Sequence, residues 1–383
     1  MKVDDYAVVF SGGGALGAWE VGAYDAIISR HLGHPPTIVT GASAGALNAA
    51  AVCAGMSVVD LQKLWENLSP KAVFRSHVGA RDAVWYVARH GSLSKGIRAL
   101  LSKKRSIFRT EPLITQIEAE FGQSGHGRFR HFTESQMSCV VALTDLRNRR
   151  RIFFVKQGLQ HPKVSCPDDG CWQEINAAET LHEALIGSTA IPVLFPPSPG
   201  DYFDGGILLN QPIQPALFLG AKTIYVLIPN SNPQGDIRNL ISIGTTLLST
   251  WMASSFDADI ERIKGINLRA SLSGSDDRIK LCVVRPGQSL EKTFPGLGML
   301  DFGREVSDLV QNGRDAANHR LNNFRHNDPS SWDSNPEDAT RRTIMQIPPD
   351  EHRPKVTIPD SEIEVTEVTE VTIVHRKFLQ KPR

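Results

Sequence analysis

The sequence predicts an α/β protein built on a doubly wound, mostly parallel sheet between helices. Three observations carry that prediction. A strand–loop–helix unit occurs twice within the first 55 residues, and parallel strands need helical crossovers of this kind. The later runs KTIYVLIP and RIKLCVVRP read as further core strands. A chain of 383 residues with 41% hydrophobic and 22% charged residues has ample material for a buried core.

The first strand is the apolar run YAVVF, and glycines follow at once. ALGAWEVGAYDAIISRHL then reads as a helix. Leu16, Trp19, Ala23, Ala26 and Ile27 share one face at a 3.6-residue period. Val21, Tyr24 and Ile28 add a second stripe, so other elements should cover this helix on more than one side. GHPPT ends it. TIVT is the second strand and AGALNAAAVCAG the second helix. From Asp60 to Phe121 the pattern is mainly helical. MSCVVALTDL and RIFFV read as a strand pair around the polar turn RNRR. LHEALIGSTAIPVLFPPSPGDYFDGG reads as a helix, a Pro-rich connector and a short strand ending at Asp204. Asn239–Phe256 contains no charged residue; it reads as a helix buried beside the sheet, with a membrane-facing patch as the other option. EVSDLVQNGRDAANHRL is the last core helix. Beyond about Phe324, dense Pro, Asp, Asn and Arg indicate a tail. Within it, EVTEVTEVT either pairs as an edge strand or lies disordered.

Composition excludes several function classes. The formal net charge is +1, so no global field favours nucleic acid. SKKRS and RNRR carry no interleaved aromatic platform and read as solvated surface and turn. MKVDDYAVVF places acids before a short apolar run, unlike a secretory signal. No stretch has the ~18 consecutive apolar residues of a membrane span. Of five cysteines, Cys166 and Cys171 are near neighbours that can pair or share a metal. No second Cys or His pair has zinc spacing, so no metal is expected. The odd count favours free thiols in a reducing cytoplasm.

Gly12, Gly14 and Gly17 form G-x-G-x-x-G after a strand, the pattern that binds a dinucleotide pyrophosphate at a helix N-terminus. That reading needs an acidic residue at the end of the second strand to hold the ribose. HPPTIVTGAS offers none. The same place holds Gly41-Ala42-Ser43-Ala44-Gly45, a G-x-S-x-G between strand and helix. In that context Ser43 sits on a sharp turn with its hydroxyl exposed, as a nucleophile does. Adjacent parallel strands bring both loops to one edge of the sheet. Backbone N–H groups of Gly12, Gly13 and Gly14 then converge on the carbonyl oxygen of a substrate at Ser43 and stabilise an oxyanion.

A serine needs a base. The chain has 12 histidines, and none sits in an obvious motif; His182 reads as a helix-surface residue. Asp204, followed by Gly205 and Gly206, reads by itself as a hairpin turn. GGGALG, GASAG and DGG, in that order, resemble the patatin-like phospholipases. STAIPVLFPP before the D-G-G is similar to that family's connector, and the resemblance spans roughly residues 5–325. It implies that Gly12–Gly14 form the oxyanion hole, that Ser43 is the nucleophile and that Asp204 is its direct base. Gly17, Gly41, Gly45, Gly205 and Gly206 support the motifs. It further implies a lipid acyl hydrolase acting on phospholipids, lysophospholipids or acylglycerols, without metal or organic cofactor and without nucleic acid. A peripheral membrane surface is the expected partner, and the cytoplasm the expected location. One departure is Leu16, where the family often has Arg or Lys. The expected organisation is a catalytic core at 5–217, the rest of the same domain at 218–325, and a tail at 326–383. A small-ester or thioester hydrolase and a non-catalytic lipid-binding protein of this fold are the rival readings.

Overall fold

The computed structural model describes residues 5–73, 75–76, 106, 108–122, 127–158, 171–229, 240–275, 277–287, 290, 305–323, 364–368 and 371–375, with backbone alone for 76, for 240–254 and for the last two segments. The chain divides into two compact units, residues 1–335 and 336–383. In the second, strands Glu364–Val368 and Val371–His375 pair antiparallel, Glu364 opposite His375. EVTEVTEVT therefore contributes to a hairpin, the pairing option for that segment.

In the first unit β1 (Ala7–Phe10) leads through a 3-10 turn into helix α1 (Gly17–Arg30), and β2 (Ile38–Ala42) leads into α2 (Ala44–Cys53). Helix α3 (Val58–Asn67) follows, its N-terminus capped by the Ser57 hydroxyl on Asp60 N–H. A short pair, β3 (Arg75–Ser76) and β4 (Phe108–Arg109), precedes the helix Glu111–Phe121. Much of the segment expected to be helical between these two strands lies outside the described residues. The remaining strands are β5 (Ser138–Asp145), β6 (Arg150–Lys156), β7 (Trp172–Glu174), β8 (Phe203–Asp204), β9 (Thr223–Leu227) and β10 (Lys280–Val284).

The sheet order is β10-β9-β1-β2-β5-β6-β7. The five strands β10 to β5 are mutually parallel, and β6 turns back antiparallel to β5. That hairpin is the expected strand pair around RNRR. The Asp145 carboxylate accepts from Asn148 N–H at 3.0 Å and from Arg150 Nε at 3.2 Å, so the polar cluster closes a turn. Alternation along the strands shows both faces covered. Val8, Phe10, Val39 and Val141 pack with α1 and α2, whereas Ala7, Val9, Ile38 and Val140 pack with Ile213, Phe256 and Ile263. Phe256 and Ile263 belong to the long helix Leu240–Ser273; the uncharged side chains before 255 are outside the described residues. Among the described residues no helix is long and apolar enough to cross a membrane. Cys53, Cys139 and Cys282 are free and buried; Cys171 is disulfide-bonded, the pairing option open to it and a departure from the general expectation of free thiols.

Both stripes of α1 are buried, as its two-sided pattern requires, and the helix Val306–Asn323 lies along it. Trp19 Nε1 donates to Asn312 Oδ1 at 2.9 Å, and Arg314 Nε meets Asp25 Oδ2 at 2.6 Å. The two backbones are in contact at paired glycines. A Cβ on Gly22 would overlap the Val310 carbonyl, and one on Gly313 would overlap the Trp19 carbonyl. Alanine is the better helix former by ~1 kcal/mol, yet Gly22→Ala and Gly313→Ala are each expected to destabilise the fold by about 1–3 kcal/mol through overpacking. Urea unfolding monitored by circular dichroism checks this; a raised midpoint in either variant would mean that the helices separate without cost.

Candidate active site

Phe10 is level with Gly41 in the parallel register of β1 and β2, so the loops that leave both strands start side by side. Ser43 has φ 53° and ψ −128°, a conformation that costs a side-chain-bearing residue of order 1–3 kcal/mol. Its surroundings hold it there. Ser43 N–H donates to Ser188 Oγ at 3.0 Å, and that hydroxyl donates to the Ala142 carbonyl at 2.7 Å. The flanking glycines serve close approach: a Cβ on Gly41 would overlap the Gly45 carbonyl, and one on Gly45 the Phe10 carbonyl. The free N-terminus of α2 lies against the site. One expectation changes: Ser43 is only 6% exposed, lying inside a cleft rather than on an open turn.

Asp204 reaches Ser43 through the sheet. β2 occupies the edge of β5 as far as Ala42, opposite Ala142. At Leu143 and Thr144 that edge is taken by β8, with Asp204 opposite Leu143; Ile152 of β6 holds the other edge there. Asp204 N–H donates to the Ala190 carbonyl at 3.0 Å, and its Oδ1 accepts from Gly206 N–H at 2.7 Å. The Ser43 hydroxyl faces the same carboxyl closely enough to favour its charged form. Burial dominates its electrostatics and pushes the pKa from 3.8 up to about 7, against the two hydrogen bonds from Ser43 and Gly206. D-G-G is no hairpin turn: Gly206 opens the short helix Gly206–Leu209, and Gly205 packs on the Ala142 carbonyl.

The three consecutive glycines differ from one another. Gly12 N–H is used, donating to the Asn210 carbonyl at 3.2 Å, while Asn210 Nδ2 reaches back to the Gly12 carbonyl at 3.4 Å. Gly13 has φ −169° and ψ 5°, and Gly14 takes φ 55°, the left-handed region that favours glycine. The N–H groups of Gly13 and Gly14 have no partner among the described residues. The loop is close to the serine, with the Cβ position of Gly12 lying 3.1 Å from Ser43 Cβ. Gly17 follows at the start of α1, its missing side chain giving room to the Trp65 ring. Leu16 is buried in the core, so this position places no positive charge beside the loop.

Gly14 and Ser43 line a cleft walled by Leu47, Trp65, Leu113, Ile191 and Phe195, with a cavity volume of about 40 Å³. Its surface is almost wholly apolar, which suits an acyl chain or another greasy group. Of the histidines whose side chains are described, His31, His34, His131, His182 and His319, none lines the cleft. His182 is half-buried, its Nε2 3.1 Å from the Phe121 carbonyl. No group of three or more His, Cys, Asp or Glu able to hold a metal occurs among the described residues.

Four supporting residues escaped the sequence reading: Glu20, Asn48, Ser188 and Asn210. Glu20 alone left a signal, as an acid whose helical neighbours Leu16, Gly17, Ala23 and Tyr24 are all apolar. It is wholly buried, and burial pushes its carboxyl well above the usual range, opposed by hydrogen bonds from Asn48 and Ser11.

A family model described as patatin-like phospholipase matches residues 8–217. The comparison with curated proteins gave no match. Among solved structures, VipD from Legionella pneumophila is 16% identical with a TM-score of 0.37, over 83% of this chain and 67% of that one. The type III effector protein ExoU is 14% identical with a TM-score of 0.33, over 83% of this chain and 53% of that one. This chain thus spans about half of ExoU.

The raised pKa of Asp204 makes a stability prediction. A carboxyl that titrates near 7 when folded and near 3.8 when unfolded stabilises the fold while it keeps its proton. That contribution is complete below the unfolded value and is lost as pH rises through the folded one. Asp204→Asn removes this titration, so the variant should gain on the native protein between about pH 4 and pH 7, with a constant gap above. Urea midpoints of both proteins across that range check it; a gap independent of pH would mean an ordinary carboxyl.

Proposed function

Since this chain belongs to the patatin-like phospholipase family, a family of lipid hydrolases, we propose that it cleaves carboxylic esters of phospholipids, lysophospholipids or acylglycerols through an acyl-serine intermediate. The observation that carries this reading is the strand register that sets the buried Asp204 carboxyl beside the Ser43 hydroxyl. Ser43 Oγ attacks the ester carbonyl carbon as its proton passes to Asp204. The carbonyl oxygen becomes an oxyanion, and the free N–H groups of Gly13 and Gly14 receive it. Gly12, its own N–H engaged by Asn210, shapes the loop. The tetrahedral adduct breaks its C–O bond to the leaving alcohol, and Asp204 returns the proton to that oxygen. Water then attacks the acyl-serine, giving one proton to Asp204, which passes it back to Ser43 as the free acid forms. The scheme uses protein groups and water alone.

The pKa near 7 suits a base that must be both deprotonated and strong enough at neutral pH. An unshifted carboxylate would be too weak a base for a hydroxyl. The apolar cleft takes the acyl chain and leaves the polar remainder at its mouth, so the substrate arrives from a lipid surface to which the protein attaches peripherally. One observation favours a second reading, a short-chain ester or thioester hydrolase: the cavity volume of about 40 Å³ is small beside the ~300–1,000 Å³ of ordinary ligand pockets.

Incubation with a mixed lipid extract, read by mass spectrometry, should show loss of acyl lipids with native protein and none with folded Ser43→Ala. Persistent hydrolysis by that variant would sink the nucleophile assignment. Asp204→Asn should lower kcat/KM by ~10²-fold or more. In the native enzyme kcat/KM should rise with pH to a plateau above about 7, following ionisation of Asp204. A profile flat from pH 5 to 9 would remove Asp204 as the base.

Soluble esters of increasing acyl length separate the two substrate classes. The lipid reading expects kcat/KM to grow with chain length; a steady fall beyond four carbons would select the short-chain reading.

A further inference from the structure

Glu20 links the glycine loop to the wall of the cleft. Ser11 N–H donates to Glu20 Oε1 at 2.6 Å, and Asn48 Nδ2 donates to Glu20 Oε2 at 2.9 Å. Asn48 Nδ2 also reaches the Gly17 carbonyl at 2.9 Å, and Asn48 Oδ1 accepts from Trp65 Nε1 at 2.8 Å. The network is buried and ties the loop after β1, helix α1, helix α2 and helix α3 together. Both its ends border the candidate active site. Ser11 directly precedes the three glycines, and Trp65 lines the cleft beside Ala44 and Ser43.

A core role alone accounts poorly for an acid at this position. Its neighbours in α1 are apolar, and burying a carboxyl costs several kcal/mol that an apolar side chain would not. A run of glycines, in contrast, has the greatest backbone freedom to lose, so groups outside it must fix where its N–H vectors point. Asn210 holds Gly12 from one side. The preceding residue is held by Glu20 and, at 3.3 Å, by the Leu227 carbonyl.

We propose that Glu20 is a positioning residue for this site, holding the loop that presents the Gly13 and Gly14 N–H groups and, through Asn48, the Trp65 wall of the cleft. Its catalytic consequence rests on the hydrolase reading above. Oxyanion donors act only when aimed at the developing charge. A small misplacement of the loop therefore lowers turnover while leaving acyl binding in the cleft largely intact.

The test compares the native protein with Glu20→Gln and Glu20→Ala by kinetics on one soluble ester and by amide hydrogen exchange. Glu20→Gln keeps the shape and one acceptor oxygen but sets an amide N–H₂ against Asn48 or Ser11; it carries the test where Glu20→Ala does not fold. Expected is a ~10- to 100-fold loss of kcat with KM within ~3-fold. Exchange in residues 11–14 should be ~10-fold faster, with β10 unchanged. Equal acceleration in β10 would reduce Glu20 to a core residue and overturn the proposal. Unchanged loop exchange in both variants, or a loosened loop with unchanged kcat, would overturn it as well. If the native protein hydrolyses no ester and takes no fluorophosphonate label while the variant loop alone exchanges faster, the hydrolase reading fails and the positioning of the loop stands.

Discussion

The site depends on a single strand edge. β5 is eight residues long and β2 five, so β2 leaves the last part of that edge vacant. β8 fills the vacancy from the opposite direction, with Asp204 at the first free position. The chain leaving β2 therefore cannot run straight on, and it turns away at Ser43 with positive φ. A serine and an aspartate far apart in sequence are brought head to head by strand register. The close packing of Gly41, Gly45 and Gly205 on neighbouring carbonyls clears the backbone for that junction.

The junction carries several costs at once. Ser43 is strained, Asp204 and Glu20 are buried acids, and two backbone N–H groups have no partner among the described residues. Each is worth on the order of a kcal/mol or more, against a net stability of about 5–15 kcal/mol for an ordinary domain. A sheet covered on both faces can hold such a site. Helix α1 shows how: the glycine contacts with the helix Val306–Asn323 fix it on one side, and from it Glu20 reaches the loop and α2. Tight packing remote from Ser43 is thereby passed to the groups around it.

Burial also sets the chemistry. The packing around Asp204 keeps water from its carboxyl, and that exclusion lifts its pKa toward neutrality. The cleft strengthens any hydrogen bond donated to a developing oxyanion, because the local dielectric is low.

The parallel sheet and its two opening strand–loop–helix units were legible because apolar runs, helical periodicity and Gly and Pro breaks are local signals. The hairpin at RNRR, the helix Val306–Asn323 and the elbow glycines were legible for the same reason. G-x-S-x-G singled out Ser43 by its place between strand and helix, whereas D-G-G read by itself as a turn and Asp204 was singled out only by the resemblance to the family. Their meeting was not readable, since it depends on how far β2 runs along β5. Nor was the commitment of Gly12 N–H to Asn210, the burial of Ser43, or the pairing of Ser188 and Asn48 with the site. Sequence by itself determined which segments become strands and helices and which residues have the chemistry, through interactions a few positions long. Tertiary structure alone decided which N–H groups stay free, which acids lose water and which hydroxyl faces which carboxyl, because hydrogen bonding and desolvation depend on neighbours that the fold brings from elsewhere in the chain.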